Sequence, residues 1–221
     1  LLLEGYRRLD TLPPEEQAEL RAAVGWTQSQ DELLAGAGLR DRWLVLGQHV
    51  EDEDHLRVLR TWLWATSADR PALALAFAAP GQPLDRSLVA GTAIDAELVF
   101  FAGTYPLRAL VKRRHGPPGS LDFMPGDGIG AATQAYAAAV ARSPWLERFP
   151  LALAGVTPLR DGERWLVRDA EGLAVPLSRR FTRGWRLLAL SGGQPLALFG
   201  EWDGEVLLPL SAWAEGRFVV L

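Results

Sequence analysis

The chain contains no cysteine, and only one of its basic residues, Lys112, is a lysine. Without thiols the chain can form neither a disulfide nor a thiolate-bound zinc site, and this agrees with a reducing compartment. The scarcity of lysine also leaves no Gly-x-x-x-x-Gly-Lys-Ser/Thr loop for nucleotide phosphates. A Schiff-base enzyme would have to use Lys112, whose neighbours Arg113 and Arg114 are expected to be solvated.

Histidines and long apolar runs are scarce as well. The three histidines, His49, His55 and His115, do not follow His-x-x-x-His spacing, and no Gly-x-Ser-x-Gly elbow is present to hold a nucleophile. A Ser/His/Asp set assembled in space stays open as an alternative. No run approaches the ~18 apolar residues of a transmembrane helix, and Leu1–Leu3 is too short for the core of a signal peptide. We expect a cytoplasmic protein that is not in a membrane and that is not an enzyme.

What is present is a strongly patterned β-rich stretch over residues 42–111. Leu73, Leu75 and Phe77 alternate with alanines, and this period of two predicts a strand. One face of that strand carries bulky side chains and the other only methyl groups, so we expect both faces to be buried. Further strands are predicted from three other runs, Trp43–Leu46, Val58–Ala65 and Thr92–Phe101. The stretch therefore predicts four or five antiparallel strands.

Helical patterns flank this stretch. Residues 1–36 are predicted to be helical, with an interruption at Pro13-Pro14 and a capping box formed by Ser29 and Glu32. After a loop over 116–130, a helical stripe predicts a slim alanine-rich helix; its members are Ile129, Ala132, Tyr136 and Val140. Ser143-Pro144 predicts the start of a second short helix that ends at Pro150.

From Leu151 onward the pattern is again typical of strands. Asp161-Gly162 and Asp203-Gly204 each lie between apolar runs and predict two hairpins. Pro176 and Pro209 lack an amide hydrogen, so they favour strand ends or a sheet edge. The predicted fold is α+β: N-terminal helices, then two antiparallel β-units, each a small barrel or sandwich, with the alanine-rich helix between them. The predicted boundaries are 1–40 for the helical lead, 41–115 for the first β-unit, 116–150 for the loop and helix, and 151–221 for the second β-unit.

Several motifs along the chain resemble one bacterial family. They are Asp41-Arg42-Trp43-Leu44-Val45-Leu46-Gly47-Gln48, Arg60-Thr61-Trp62-Leu63, Asp95-Ala96-Glu97-Leu98-Val99-Phe100, Tyr105-Pro106-Leu107-Arg108-Ala109-Leu110-Val111, Ser143-Pro144-Trp145-Leu146, Leu190-Ser191-Gly192-Gly193 and Phe199-Gly200-Glu201-Trp202-Asp203-Gly204. Together they are similar to the C-terminal half of bacterial SWIM zinc-finger proteins. These motifs are structural rather than catalytic.

The resemblance carries expectations about cofactors and partners. The Cys-x-Cys and Cys-x-His element that defines the family has no counterpart in a chain without cysteine. The resemblance therefore implies a zinc finger upstream of these residues and no cofactor within them. Family members are often encoded near MoxR-type ATPases and von Willebrand A-type proteins, which are the first candidate partners. SWIM fingers are generally thought to bind DNA or protein.

Two segments could hold a small ligand, and each has a plainer interpretation. Residues 51–55 are four carboxylates followed by a histidine, but neighbouring residues of a strand or turn point in divergent directions, so a solvated hairpin end explains them better. Residues 126–130 are glycine-rich and precede a helix, yet they lack Gly-x-Gly-x-x-Gly spacing. An ordinary loop with Asp127 near the helix cap explains them.

Basic and tryptophan-rich segments are the remaining candidates for binding. Two windows contain no carboxylate, 98–121 and 172–200, and could face a polyanion unless carboxylates from other segments neutralise them in space. Their basic residues are Arg108, Lys112, Arg113 and Arg114 in the first, and Arg179, Arg180, Arg183 and Arg186 in the second. Trp62, Trp64 and Trp202 are candidate interface anchors, although tryptophans in a β-rich domain more often fill the core.

These observations favour a noncatalytic protein-interaction or scaffold region that accompanies a SWIM zinc finger, because packing signals are abundant and reactive groups are few. A nucleic-acid-binding accessory module is the first alternative, and an unrecognised enzyme is the second.

Overall fold

A computed structural model describes residues 2–26, 28–53 and 55–221 of the chain. Within them there are five α-helices and twelve strands, and the strands form two antiparallel sheets. The predicted α+β, β-rich fold is therefore confirmed. The chain begins with α1 (Leu2–Arg7), a 3₁₀ helix (Leu9–Thr11), α2 (Pro14–Ala23) and α3 (Gln30–Ala35). The Glu19 carboxylate on α2 accepts hydrogen bonds from the Thr104 amide, at 2.9 Å, and from the Ser143 hydroxyl. These bonds tie the N-terminal helices to the β-rich body.

The first sheet has the order β3-β2-β1-β4-β5 and curls into a half-barrel. Its strands are β1 (Leu39–Glu53), β2 (Leu56–Ala65), β3 (Arg70–Ala78), β4 (Thr92–Phe100) and β5 (Ala109–Arg114), and the short β6 (Gly119–Ser120) pairs with β4. The curl brings the outer strands β3 and β5 together at one end, where the Leu73 amide donates to the Leu107 carbonyl at 2.7 Å. Apolar side chains fill the closed end, including Trp43, Leu63 and Ile94.

The second sheet has the order β12-β11-β10-β7-β8-β9. Before it comes α4 (Ile129–Arg142), and the sheet contains β7 (Phe149–Asp161), β8 (Arg164–Arg168), β9 (Ala174–Pro176), β10 (Leu196–Trp202), β11 (Leu207–Ala214) and β12 (Arg217–Val220), with α5 (Gly184–Ser191) between β9 and β10. Both predicted hairpins are confirmed, since β7 turns into β8 at Gly162 and β10 turns into β11 at Gly204. One face of this sheet packs on α4 and α5 through residues such as Ile129, Ala139 and Leu187.

The two sheets pack directly on each other. The outer face of the half-barrel contributes Leu44, Leu46 and Trp62, and the second sheet contributes Phe199 and Leu210, among others, to one buried cluster that we call the seam. Strand β1 is buried on both faces because its alternate residues face the interior of the half-barrel and the seam. A continuous apolar run at 43–46 is the pattern expected of such a strand.

Two predictions about local structure are wrong. Residues 143–148 form no helix: Ser143 ends α4, its hydroxyl bonds to Glu19 instead of capping a new helix, and β7 begins at Phe149. Conversely, residues 184–191 form helix α5 where strands were expected. Their apolar run is too short for its periodicity to distinguish a buried helix from a strand. Gly192 ends α5 in the left-handed conformation, at φ 55°, which glycine adopts without strain.

The prediction that β3 is buried on both faces is also wrong. Ala72 is fully buried, but Ala74, Leu75 and Ala76 are half-buried, and the Phe77 side chain is 51% exposed. Among the described residues β3 pairs only with β2, and beyond Leu73 only Ala78 is buried, against Leu59 and Leu84. The alternation therefore identified a strand, but not its position in the sheet.

The predicted boundaries need small corrections. The first β-unit begins at Leu39 rather than residue 41 and includes β6, whose residues 119–120 were assigned to the loop and helix. The second begins at Phe149 rather than Leu151. Pro176 ends β9, as predicted. For Pro209 the prediction of a strand end or sheet edge is wrong, because it lies inside β11, between β12 and β10, and pairs with Gly200 next to a bulge. The residues of β11 that pair with β12 begin only at Ser211.

Candidate functional site

A buried ion pair crosses the seam between the sheets. Arg60 on β2 donates from Nε to Glu201 Oε1 at 2.8 Å and from Nη2 to Glu201 Oε2 at 3.0 Å. Trp62 Nε1 donates to the same Oε1 at 2.8 Å. The Glu201 side chain is 1% exposed and the Arg60 side chain 10%. This bidentate geometry matches the planar guanidinium to the carboxylate and fixes how the two sheets meet.

The ion pair continues toward the surface through Glu51 on β1. Arg60 Nη1 donates to Glu51 Oε2 at 2.7 Å, and Arg180 Nη1 donates to Glu51 Oε1 at 3.0 Å. Hydrogen bonding from Arg60 holds the pKa of Glu51 below its usual range. Burial disfavours the charge of Arg60, but the carboxylates of Glu201 and Glu51 outweigh it and raise its pKa. Both shifts favour the charged forms of Glu51 and Arg60 at neutral pH.

A polar cavity of about 130 Å³ opens beside this network. It is lined by His49, Arg60, Arg148, Ser178, Arg180, Glu201, Asp203, Val206 and Leu208. Burial, the largest influence, lowers the pKa of His49 even though Glu201 nearby works in the opposite direction. Within the described residues no hydrogen bond joins Ser178 to His49, so this cavity does not hold a nucleophile and base in contact.

Sequence analysis missed Glu201 and Arg60 as partners because 141 residues separate them. The available signal was Glu201 itself, a single carboxylate within the otherwise apolar run 196–202. A charge at such a position requires a partner, because burying a lone charge is costly. The pattern identifies a buried charge but not the residue that neutralises it.

The first basic window is only partly available for binding. Lys112 Nζ donates to the Gly36 carbonyl at 2.7 Å and lies 3.4 Å from Glu97 Oε1. The Arg108 guanidinium stacks 4.3 Å from the centre of the Phe101 ring. Arg114 donates to the carbonyl and hydroxyl oxygens of Ser87. The exposed Arg113 has no carboxylate within ion-pair distance in the described part of the chain.

The second window is more exposed. Arg180 is paired with Glu51, so a carboxylate from another segment does neutralise this window at that position. Arg179, Arg183 and Arg186 are exposed and form no ion pair with any described carboxylate. The two windows lie in different parts of the fold, since Arg113 and Arg114 end β5 of the first sheet whereas Arg183 is the N-cap residue of α5, which packs on the second sheet.

Two of the three tryptophans predicted as interface anchors lie in the core. Trp62 is fully buried in the seam and Trp202 is buried against Tyr136, so the prediction that these two contact a partner is wrong. Tryptophans in β-rich domains generally fill the core in this way. Trp64 is half-buried, with Nε1 bonded to Asp69 at 3.0 Å, and its role as an anchor stays a prediction.

A different tryptophan is conspicuously exposed. Trp185, at the start of α5, is 62% exposed. Its ring lies edge-on to Trp165, with 5.1 Å between ring centres, and the Arg160 guanidinium lies 5.2 Å from its centre. Trp165 in turn rests on the backbone of Gly184, where an added Cβ would come within 2.1 Å of the ring. We call Arg160, Trp165 and Trp185 the tryptophan surface.

The two predicted ligand segments have structural roles. In 51–55, Glu51 binds Arg60, Asp52 lies 3.5 Å from Arg57, His55 is exposed, and Asp54 lies outside the described residues. In 126–130, Asp127 pairs with β7, and the first free amide of α4, that of Ile129, donates to Asp169 at 3.2 Å. The cap thus comes from Asp169 rather than Asp127. No cluster of three or more potential metal ligands occurs among the described residues.

A larger cavity, of about 420 Å³, opens at the unclosed end of the half-barrel between β3 and β5. Its lining residues are Gln30, Leu34, Thr61, Ala74–Ala76, Asp85, Ser87, Leu88 and Ala109–Arg114. We call it the slot. Its volume is in the range typical of ligand sites, and its wall combines aliphatic side chains with a basic rim.

Comparison with protein families, curated proteins and solved structures found no match to this chain. The resemblance to SWIM zinc-finger proteins therefore stays a prediction from the motifs. In the described residues, no helix is both long and apolar enough to cross a membrane.

Proposed function

We propose that this chain is a noncatalytic protein-interaction region that accompanies an upstream SWIM zinc finger in a bacterial cytoplasm. The observation that supports this proposal most directly is the tryptophan surface. Tryptophan and arginine are the residue types most enriched among those that dominate binding energy at protein interfaces. A ring left 62% exposed presents apolar area that a partner can remove from water.

The tryptophan surface is also held in place before any partner binds. Trp165 is wedged against Gly184, and Arg160 covers both rings. Side chains that are already ordered lose little conformational entropy on association, which improves affinity for a given contact area. By contrast, the charged groups of the seam are occupied by one another and support the fold.

The test is binding to the candidate partners, a MoxR-type ATPase and a von Willebrand A-type protein from the same host. Affinity of the full-length protein is measured before and after Trp185→Ala. We expect a loss of about tenfold or more, the effect of removing an interface anchor. Trp26→Ala is the matched control, because Trp26 is equally exposed but lies outside the tryptophan surface. Equal affinities for wild type and Trp185→Ala would contradict the proposal.

Nucleic acid is the second candidate partner, and the exposed arginines beside Trp185 favour it. Arg183, the N-cap residue of α5, and Arg186 are exposed and close to Trp185 in sequence, and an aromatic platform with arginines can stack bases while it contacts phosphates. Such binding weakens steeply with salt because phosphate contacts release counterions. Micromolar binding of labelled DNA or RNA at ~150 mM salt, lost when Arg179, Arg183 and Arg186 are replaced by Gln, would favour this function over the first.

A further inference from the structure

The slot is bounded by two strand edges that lack hydrogen-bonding partners. Among the described residues β3 pairs only with β2, and β5 only with β4. The two edges meet at the Leu73 amide and the Leu107 carbonyl, and no paired register continues beyond that point. Consecutive residues line the slot on both strands, Ala74–Ala76 and Leu110–Arg114, so the slot opens onto backbone and not on one side-chain face alone. Exposed edges of this kind are templates for an added strand.

The direction of the edges favours insertion over direct closure. Every neighbouring pair in the half-barrel is antiparallel, and the sheet order has five strands, so β3 and β5 run parallel to each other. A strand placed between them and running in the opposite direction would be antiparallel to both. It would complete a closed sheet of six alternating strands, with no edge left at this end.

The slot has room for the inward side chains of such a strand because several residues on its wall are short. Ala74 and Ala76 on β3 and Ala109 on β5 line it together with Thr61 and Leu88, around a volume of about 420 Å³. Alternate residues of an inserted strand would point into this space and should be apolar, whereas the others would face outward. About five residues would span β3 from Ala74 to Ala78.

Charge fixes which end of the inserted strand is acidic. β3 and β5 both run away from the Leu73–Leu107 contact, so an antiparallel strand between them begins at the far end, beside Lys112, Arg113 and Arg114. Lys112 is partly neutralised by Glu97, and Asp85 also lies at the rim, but Arg113 and Arg114 have no carboxylate within ion-pair distance in the described chain. Acidic residues should therefore precede the apolar ones.

We propose that the slot binds an extended peptide of a partner protein as a sixth strand between β3 and β5. The peptide has acidic residues followed by about five residues in which alternate positions are apolar. This inference goes beyond the proposed function because it concerns a surface that does not include Trp185. Backbone hydrogen bonds to both edges would supply affinity, and the alanine-lined space and basic rim would supply specificity.

The test begins with selection of phage-displayed random peptides of about twelve residues on the 221-residue chain. An enriched peptide is then synthesised with a fluorescent label, and its Kd is measured for wild type and variants. We expect Ala76→Leu, which fills the slot, to weaken binding by about tenfold or more, and proline at an inward position of the peptide to weaken it similarly. Thermal unfolding checks that the variant is folded, and Trp185→Ala should bind the peptide as wild type does.

A charge exchange tests the orientation. Arg113→Glu should weaken the acidic peptide and strengthen a version in which lysines replace its acidic residues. The proposal is wrong if no sequence is enriched, if proline is tolerated throughout the peptide, or if folded Ala76→Leu binds as tightly as wild type. It is also wrong if decanoate occupies the slot while peptides do not, since the slot would then be a small-molecule site. Loss of peptide binding in Trp185→Ala would place the peptide on the tryptophan surface and overturn the proposal.

Discussion

The side chain of Glu201 accepts three hydrogen bonds in a place that water barely reaches. Removing its charge takes away the bidentate partner of the Arg60 guanidinium, which stays buried beside the more exposed Glu51. Breaking a buried pair from one side is far more destabilising than its net contribution suggests, because the remaining charge stays desolvated. Glu201 is therefore a stability determinant that binds the two sheets together.

We expect Glu201→Gln to lower the free energy of unfolding by about 3 kcal/mol, measured by urea denaturation. The control is Asp95→Asn, which breaks the Arg40–Asp95 pair at similar distance, 2.7 Å, but on the surface. That change should lower the free energy by less than ~1 kcal/mol, since exposed pairs contribute little. Equal losses in the two variants would mean that the seam is hydrated and the pair screened.

His49 makes stability depend on pH. Burial lowers its pKa in the folded state, so the unfolded chain, with a histidine pKa of ~6.5, takes up this proton first as the pH falls. The stability due to neutral His49 is thus fully present above about pH 6.5, and it is lost as the pH drops through the pKa of His49 in the folded state. Four charged groups also act on the imidazole: Arg60 and Arg180 lower the pKa of His49, whereas Glu51 and Glu201 raise it.

We expect His49→Gln to reduce the loss of unfolding free energy between about pH 7 and about pH 5, measured by denaturation at each pH. His55→Gln, which changes an exposed imidazole in the β1–β2 turn, is the control. A wild-type slope that is unchanged in His49→Gln would show that other groups account for the dependence in this range.

Strand β3 carries two alanines that both face the interior of the half-barrel but have different surroundings. Ala72 is 0% exposed and packs inside the closed end of the half-barrel, whereas Ala76 lines the slot. We expect Ala72→Leu to cost about 1 to 3 kcal/mol of unfolding free energy through overpacking, and Ala76→Leu to change it by less than ~0.5 kcal/mol. Chemical denaturation of both variants measures these two changes in unfolding free energy. A large loss for Ala76→Leu would mean that the slot is filled in solution.

Strand β3 also shows which features of the fold the sequence pattern predicts and which it does not. Alternation and turn residues predict the strands of residues 42–111, helix α4 and the hairpins at 161–162 and 203–204, because each depends on local periodicity or local turn geometry. The order of strands in a sheet depends on pairing between distant segments. For that reason β3 was predicted as a covered strand, although it is an outer one. Helix α5 was missed because a helix of only eight residues, with a short apolar run, has no decisive period.

The candidate site was harder to predict than the fold. Composition identified nine tryptophans but not which of them is exposed, since burial is set by sheet packing that local pattern does not contain. Trp62 and Trp202 were expected at an interface and lie in the core, whereas Trp185 lies on the surface. The slot could not be predicted at all, because its walls come from strands about 35 residues apart that only the curl brings together.

The seam makes the two sheets depend on each other. Strand β1 supplies apolar side chains both to the half-barrel and to the second sheet, and Ser211 on β11 donates a hydrogen bond to the Leu46 carbonyl. Neither sheet covers its seam face without the other, and an exposed face rich in leucine and tryptophan is unfavourable in water. We therefore expect the described residues 39–221 to unfold as one cooperative unit.

Gly47 provides the test, because it lies at a bulge of β1 that packs directly against the second sheet. A Cβ added there would lie 2.9 Å from Leu210 Cβ and 3.1 Å from Phe199 Cδ1, and the Leu210 Cβ cannot move without its strand. We expect Gly47→Ala to lower the free energy of unfolding by about 1 to 3 kcal/mol. Gly116→Ala, in a loop with open space around the added carbon, should be close to neutral.

Hydrogen exchange measured by mass spectrometry on Gly47→Ala then reports where protection is lost. If the seam couples the sheets, Gly47→Ala reduces protection in β2 and in β10 by the same factor, because global unfolding exposes both. Loss confined to one sheet would show instead that 39–120 and 149–221 are separate folding units that merely touch.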